Sequence, residues 1–424
     1  MRVNLRYGCD GLAAEVPDGV TASVLRMRRM PVVTDPAEAV RRALTEPIGA
    51  PPLAELARGR RDAAITTSDI TRPVPNAAIL PPLLDALNAA GIPDERIVVI
   101  IGTGLHRPNT EAELRGMLGP VVLARCRVVN HIARDESTLV HLGETPRGTP
   151  IWVNRRFVEA DLHIAISLIE PHLMAGFSGG RKAICPGLAG ARTMRVMHGP
   201  ALLGHEAARE GVLDGNPFHE ESTEIARRAR VDFIVNVALD EARQVTGIFA
   251  GGLVEAHLAG CRFVADQCTA WLDAPADVVL TTSAGYPLDL TFYQSVKAMT
   301  AALPALKDGG TIIVAAACAE GIGSAEFRRL MAETTSPAQF RERLRDPDFF
   351  IIDQWQLQEM CKALDRAEIL YYSDGIGEDV LHSLLVTPVR SIEDALDRAL
   401  ARHSRAARIA VIPEGPYVMP RLRE

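Results

Sequence analysis

The stretch RIVVIIGTGLHRP, residues 96–108, is an unbroken apolar run of strand length that stops at a Gly-Thr-Gly turn and leads straight into His106 and Arg107. A strand exposed on one face alternates polar and apolar residues, whereas a strand covered on both faces stays apolar throughout. The same habit recurs in AAITTSDITRP from 63, DLHIAISLIEPH from 161 and DFIVNVALD from 232. It returns in DVVLTTSAGYP from 277, GTIIVAAACAEGIG from 310, EILYYSDGIG from 368 and RIAVIPEGP from 408. Helical patterns lie between these runs, at 77–91, 253–272 and 391–403, the last opening on a Ser391-x-x-Asp394 start that resembles a capping box. Strands alternating with helices predict an α/β fold of mainly parallel sheets flanked by helices.

A chain of 424 residues is too long for one ordinary core, so two domains are expected. The division falls where the helical pattern of 253–272 stops ahead of Pro275, giving domains 1–272 and 273–424. Ligands of open parallel sheets bind beyond the carboxyl ends of the strands. The polar clusters of this sequence sit at those ends, which places the expected site in the cleft between the domains.

With 47% hydrophobic and 23% charged residues the composition is that of a soluble globular protein. The formal charge of −7 offers no general attraction to nucleic acid or anionic lipid, so an anionic partner has to be small and locally held. The start MRVNLRYGCDG has no signal-like apolar stretch and no run is long enough to span a membrane, from which a cytoplasmic protein is expected. Seven scattered cysteines, none in a Cys-x-x-Cys pair, fit reduced thiols better than disulfides or structural zinc. Only Cys185 lies near a candidate site.

Four strand ends concentrate functional groups. SDITRPVP supplies Asp69, Thr71 and Arg72, with Pro73 and Pro75 stiffening the loop. GTGLHRPN supplies His106, IEPHLMAGFSGGRK supplies His172 and Lys182, and GYPLDLTFYQSVKA supplies Tyr293, Gln294 and Lys297. The glycines around Lys182 suggest a phosphate loop, but Walker chemistry needs Ser or Thr after the Lys and Ala183 follows here. Each group taken singly has an ordinary reading as surface charge or turn; convergence of two imidazoles, several cations and an amide on one crevice points to a small carboxylate. Paired histidines suit acid and base duty from two faces of a substrate, and positioned proton transfer is worth roughly 10² to 10⁴ in rate. His198, in RVMHGP, has no companion at a zinc spacing, and it holds a metal only if a cofactor brings the other ligands.

These motifs together resemble the nickel-dependent lactate racemase family over nearly the whole length, from SDITRPVP through GTGLHRPNT, EPHLMAGFSGGRKAICPGLAG, GNPFHEE, GIFAG and GYPLDLTFYQSVKA to WQLQ at 355. The resemblance implies a nickel pincer nucleotide, a pyridinium mononucleotide with two sulfur arms that holds Ni(II). It implies a thioamide link at Lys182, with the glycine loop close around the cofactor, and His198 as the protein ligand to nickel. Asp69, Thr71 and Arg72 match the loop that holds the nucleotide portion. Tyr293, Gln294 and Lys297 match substrate or cofactor contacts, and Trp355 matches an aromatic near the pocket. His106 and His172 match the acid/base pair in an inversion of C2 of a small 2-hydroxy acid by reversible hydride transfer, with Arg72 or Lys297 gripping the carboxylate. Cofactor-biosynthesis enzymes are implied as partners.

Local departures are Ile132, where such proteins carry an acidic residue, and Gly199-Pro200 after the metal-ligand position; His131 receives no role. Two rival readings keep the fold. One gives Lys182 a Schiff-base role in a lyase, and the other makes the chain a store for the cofactor without turnover.

Overall fold

The computed structural model describes residues 1–346 and 348–423. The chain forms two compact units, Arg29–Asp266, and Met1–Arg28 together with Gln267–Glu424.

In the unit Arg29–Asp266 six strands lie in the order Val245–Gly251, Phe233–Leu239, Leu162–Leu168, Ala63–Ser68, Ile97–Gly102 and Arg127–Asn130. All neighbours are parallel except the first pair. The strand Leu162–Leu168 is buried at every position, as its unbroken apolar run requires. Ile164 and Ile166 face a core shared with Leu80, Leu83, Leu84 and Leu87 of the helix Asn76–Ala89, while Ala165 faces a second cluster with Ala183 and Ala256. The helices start where local chemistry satisfies their first amides. Asp35 caps Pro36–Thr45 through Glu38, and Thr110 and Glu113 form a reciprocal capping box at Glu111–Arg125.

The other unit holds a wholly parallel sheet, in the order Thr387–Pro388, Ala367–Tyr372, Leu306–Ala315, Ala276–Thr282, Arg408–Ile412 and Thr21–Val24. Its helix Ile392–His403 is capped by Ser391, which accepts from the Asp394 amide at 3.1 Å. The Asp394 carboxylate turns instead to the Arg390 amide, so the reciprocal half of a capping box is not made with Ser391.

The structure moves two sequence boundaries. The division expected between 272 and 273 gives way to a unit that also includes residues 1–28: Thr21–Val24 pairs with Arg408–Ile412, and Val3, Leu5 and Val16 join the core around Leu280 and Ile313. The helical pattern expected to reach 272 ends at Cys268, because Thr269–Leu272 pairs as a strand with Met419–Leu422. Both changes come from partners far away in sequence, which local periodicity does not show.

Leu5 is 2% exposed in that core, and Leu5→Ala is expected to destabilise its unit by about 2–5 kcal/mol. Amide hydrogen exchange tests this, with faster exchange expected in Arg408–Ile412 and unchanged protection in Leu162–Leu168. Equal loss in both strands would contradict the assignment of residues 1–28.

Candidate active site

Three neighbouring strand ends of the Arg29–Asp266 unit carry one continuous line of polar contacts. After Ser68 the chain turns on Asp69, whose Oδ1 accepts from the Thr71 amide at 3.2 Å and the Thr71 hydroxyl at 2.6 Å. Its Oδ2 lies 2.7 Å from Nδ1 of His106, which follows the next strand. Burial pushes the Asp69 pKa up, but the His106 charge and hydrogen bond, the Thr71 hydroxyl and Arg72 outweigh it and leave the pKa lowered. An ionised carboxylate only accepts, so Nδ1 of His106 carries a proton.

On the other side of the same strand, Arg72 Nε pairs with Glu170 Oε1 at 2.7 Å, and both side chains are largely buried. Arg72 Nη1 also reaches the Thr71 carbonyl at 3.3 Å and hydroxyl at 3.2 Å. Glu170 follows the strand Leu162–Leu168, and sequence reasoning missed it. The signal available was a charged residue two positions after a fully buried strand.

Two residues on, His172 lies in a two-residue strand that pairs with Gly176–Phe177. The Met174 and Ala175 amides point at His172 Nδ1, at 3.2 and 3.3 Å. Backbone N–H groups only donate, so the neutral ring carries its proton on Nε2. Nδ1 is therefore a donor in His106 and an acceptor in His172.

The glycines of this loop make room for protein. Gly176 has φ 73°, and a Cβ there would sit 2.2 Å from the Val212 carbonyl oxygen. Gly180, at φ 48°, abuts the His257 ring, and its amide donates to Asn236 Oδ1 at 3.0 Å. Added carbons at 179, 187 and 190 would also meet protein atoms. The glycine cluster is thus accounted for by packing. Arg181 is buried beneath the loop, and its Nη2 donates to the Ala175 carbonyl at 2.7 Å.

Lys182 and His198 meet the same aromatic ring. Lys182 Nζ stands 5.1 Å from the Phe218 centroid, and the His198 ring meets Phe218 edge-on at 5.3 Å. His198 ends the helix Ala191–Met197 and is buried. Burial, and then the Lys182 and His106 charges, push its pKa down to about 3, so the imidazole stays neutral. Phe218 is placed by Asn216, which caps the helix Pro217–Arg228 and donates from Nδ2 to the Met174 and Val212 carbonyls. The Asn-Pro start of that helix was the sequence signal for this cap.

Cys185 is buried, and burial pushes its thiol up to about 12, which disfavours the thiolate. His131 is structural, lying 3.1 Å from the Ala189 carbonyl and 3.1 Å from Asn154 Nδ2. No cluster of three or more His, Cys, Asp or Glu able to hold a metal occurs among the described residues.

In the other unit Tyr293, Gln294 and Lys297 share the helix Phe292–Ala302, started by the Thr291 cap. Trp355 is buried and donates from Nε1 to the Tyr293 hydroxyl at 2.8 Å, while Gln356 donates to the Tyr293 carbonyl at 2.7 Å. Trp355 therefore fixes the direction of the tyrosine. Gln294 is 8% exposed, and its buried Oε1 accepts no hydrogen bond from the described residues.

Residues 7–211 match the family Lactate racemase N-terminal domain, and residues 272–419 match Lactate racemase C-terminal domain. The lactate racemase of Thermoanaerobacterium thermosaccharolyticum is 36% identical over 99% of both chains. That of Lactiplantibacillus plantarum is 38% identical over 89% of both. The apoprotein structure of the Thermoanaerobacterium enzyme superposes with a TM-score of 0.93, covering 100% of both chains. A Thermotoga maritima protein shares the fold alone, with a TM-score of 0.73 at 18% identity over 93% of this chain and 100% of that one. Two matched domains and two relatives aligned over most of their length establish that the chain is an isomerase of the lactate racemase family.

Proposed function

We propose that this racemase inverts C2 of a small 2-hydroxy acid, lactate first among the candidates, with His106 and His172 as its acid/base pair and a nickel pincer nucleotide held at Lys182 and His198. The observation that carries the proposal is the Asp69–His106 contact at 2.7 Å, on the strand end next to the one that leads to His172. A carboxylate behind an imidazole fixes its tautomer and stabilises the imidazolium formed when it takes a proton.

The residues fit the cofactor. A metal ligand has to be unprotonated, and His198 is a buried imidazole kept neutral. A single protein ligand suits a metal whose other ligands arrive with an organic group, and Lys182 offers its amine beside the same Phe218 ring. When bound, the cofactor supplies a hydride acceptor and donor for C2.

The chain's own residues do the rest. His106 Nε2 takes the hydroxyl proton, and Asp69 steadies the charge that results. His172 presents Nε2–H as the donor on its side of the substrate. For His172 to act as a base from Nε2, its proton has to move to Nδ1, which displaces the Met174 and Ala175 amides. The carboxylate is assigned to one cation, either Arg72, which Glu170 steers, or Lys297.

Loaded protein is expected to interconvert D- and L-lactate with C2 deuterium retained in the product; washout of the label to solvent would contradict hydride return. His106→Ala should lower kcat/KM by about 10² to 10⁴ while the bound cofactor keeps its absorption. Turnover within a few-fold of wild type would remove His106 from the chemistry. Lys182→Ala should lose the covalent mass increment of loading, and His198→Ala should lose nickel by elemental analysis while remaining folded. Retention of either would overturn that residue's assignment.

A further inference from the structure

Glu170 has one carboxylate oxygen satisfied and one left over. Its main chain is clamped: the Glu170 amide donates to Ser178 Oγ at 2.9 Å, and the Ser178 amide returns a bond to the Glu170 carbonyl at 2.9 Å. The side chain is 10% exposed and Oε1 takes Arg72 Nε at 2.7 Å. Oε2 is buried and receives no hydrogen bond from the described residues. Native proteins leave few such atoms, because a desolvated carboxylate oxygen without a donor is costly. The missing partner has to be an O–H or N–H group, since a second carboxylate or a phosphate would meet a like charge.

We infer that Glu170 Oε2 accepts a hydrogen bond from a hydroxyl group of the bound ligand. The inference rests on the racemase reading, which supplies that group from two sources, the 2-hydroxyl of the substrate acid and the ribose hydroxyls of a pyridinium mononucleotide. The position favours such a contact. Glu170 lies two residues before His172, and its Arg72 partner follows the strand that also carries Asp69 and so reaches His106. With its main chain held at both ends and Oε1 fixed by Arg72, the carboxylate has one direction left for Oε2. A hydroxyl bound there would be oriented before any proton moves, and Arg72 would meet the ligand as half of a neutral pair.

The test compares wild type with Glu170→Gln, which keeps the shape and an acceptor for Arg72 but puts an amide donor where Oε2 stood. Calorimetry on cofactor-loaded protein with lactate and with propionate, the same acid without its hydroxyl, reads the substrate source. Titration of the full chain before loading with nicotinic acid mononucleotide reads the ribose source. A loss of about tenfold or more for lactate relative to propionate, whose carboxylate meets Arg72 in the same way, assigns the hydroxyl to the substrate. The same loss for the mononucleotide assigns it to ribose. Affinities within about twofold of wild type for all three ligands overturn the inference and leave a trapped water as the partner of Oε2. Should Glu170→Gln fail to fold, Glu170→Asp keeps the charge, draws Oε2 back by one methylene and is read in the same way. Wild-type protein that binds neither lactate nor the mononucleotide would remove the racemase reading itself, and the inference with it.

Discussion

A guanidinium sealed from water has to be solvated by the protein, and Arg181 is solvated by the loop that carries it. Nη2 donates to the Ala175 carbonyl at 2.7 Å, and Nη1 reaches the Ser178 and Gly179 carbonyls at 3.4 Å each. Three carbonyls are thereby drawn toward one point, which curls the chain between His172 and Lys182 into a single shape. His257 lies against the same guanidinium at 2.7 Å; burial, followed by the Arg181 charge, lowers its pKa well below the usual value. A neutral ring tolerates a cation at that distance. Burial brings the Arg181 pKa down only to about 10, so the charge persists near neutrality and the loop stays wrapped around it. The close turn leaves no room for side chains at Gly176 and Gly180, which links the glycine cluster to the buried charge.

The same loop makes the two histidines unequal. His172 has its Nδ1 lone pair committed to two amides of the loop, whereas His106 has Nδ1–H committed to a carboxylate. Protonating His106 at Nε2 creates a cation beside an anion. Protonating His172 at Nδ1 sets a third N–H against two that already point there. A reaction that uses both imidazoles therefore starts from a biased state, and the bias is written in backbone geometry as much as in residue type.

Sequence patterning carried the sheets well, because strands buried on both faces announce themselves as apolar runs: Ile97–Gly102 and Leu162–Leu168 lie where such runs predicted them, and the run from 310 matches the buried end of Leu306–Ala315. It failed where a partner is distant. Nothing in Thr21–Val24 tells that it pairs with Arg408–Ile412, and nothing in Thr269–Leu272 separates a last helical turn from a strand beside Met419–Leu422. The candidate site divides in the same way. Motifs exposed Asp69, His106, His172, Lys182 and His198 as residue types with chemistry. Their supports, Glu170 behind Arg72, Phe218 between Lys182 and His198, and Asn216 behind Phe218, were hidden because a carboxylate, a phenyl ring and a cap have ordinary uses everywhere.

A single neutral imidazole has a consequence for how a metal would be held. No cluster of three or more His, Cys, Asp or Glu able to hold a metal occurs among the described residues, so a bare divalent ion would gain little from His198 beyond one nitrogen. On the proposed reading, affinity for nickel then belongs to the cofactor, and the protein's part is to present an unprotonated ligand at a fixed place. Burial and the neighbouring Lys182 and His106 charges serve that end, because they hold His198 neutral far below physiological pH. Conversion of the Lys182 amine to an amide-like link would remove one of those charges at the moment the cofactor is attached. On that reading, burial would keep His198 unprotonated both before and after loading, and the Lys182 charge would add to it only before.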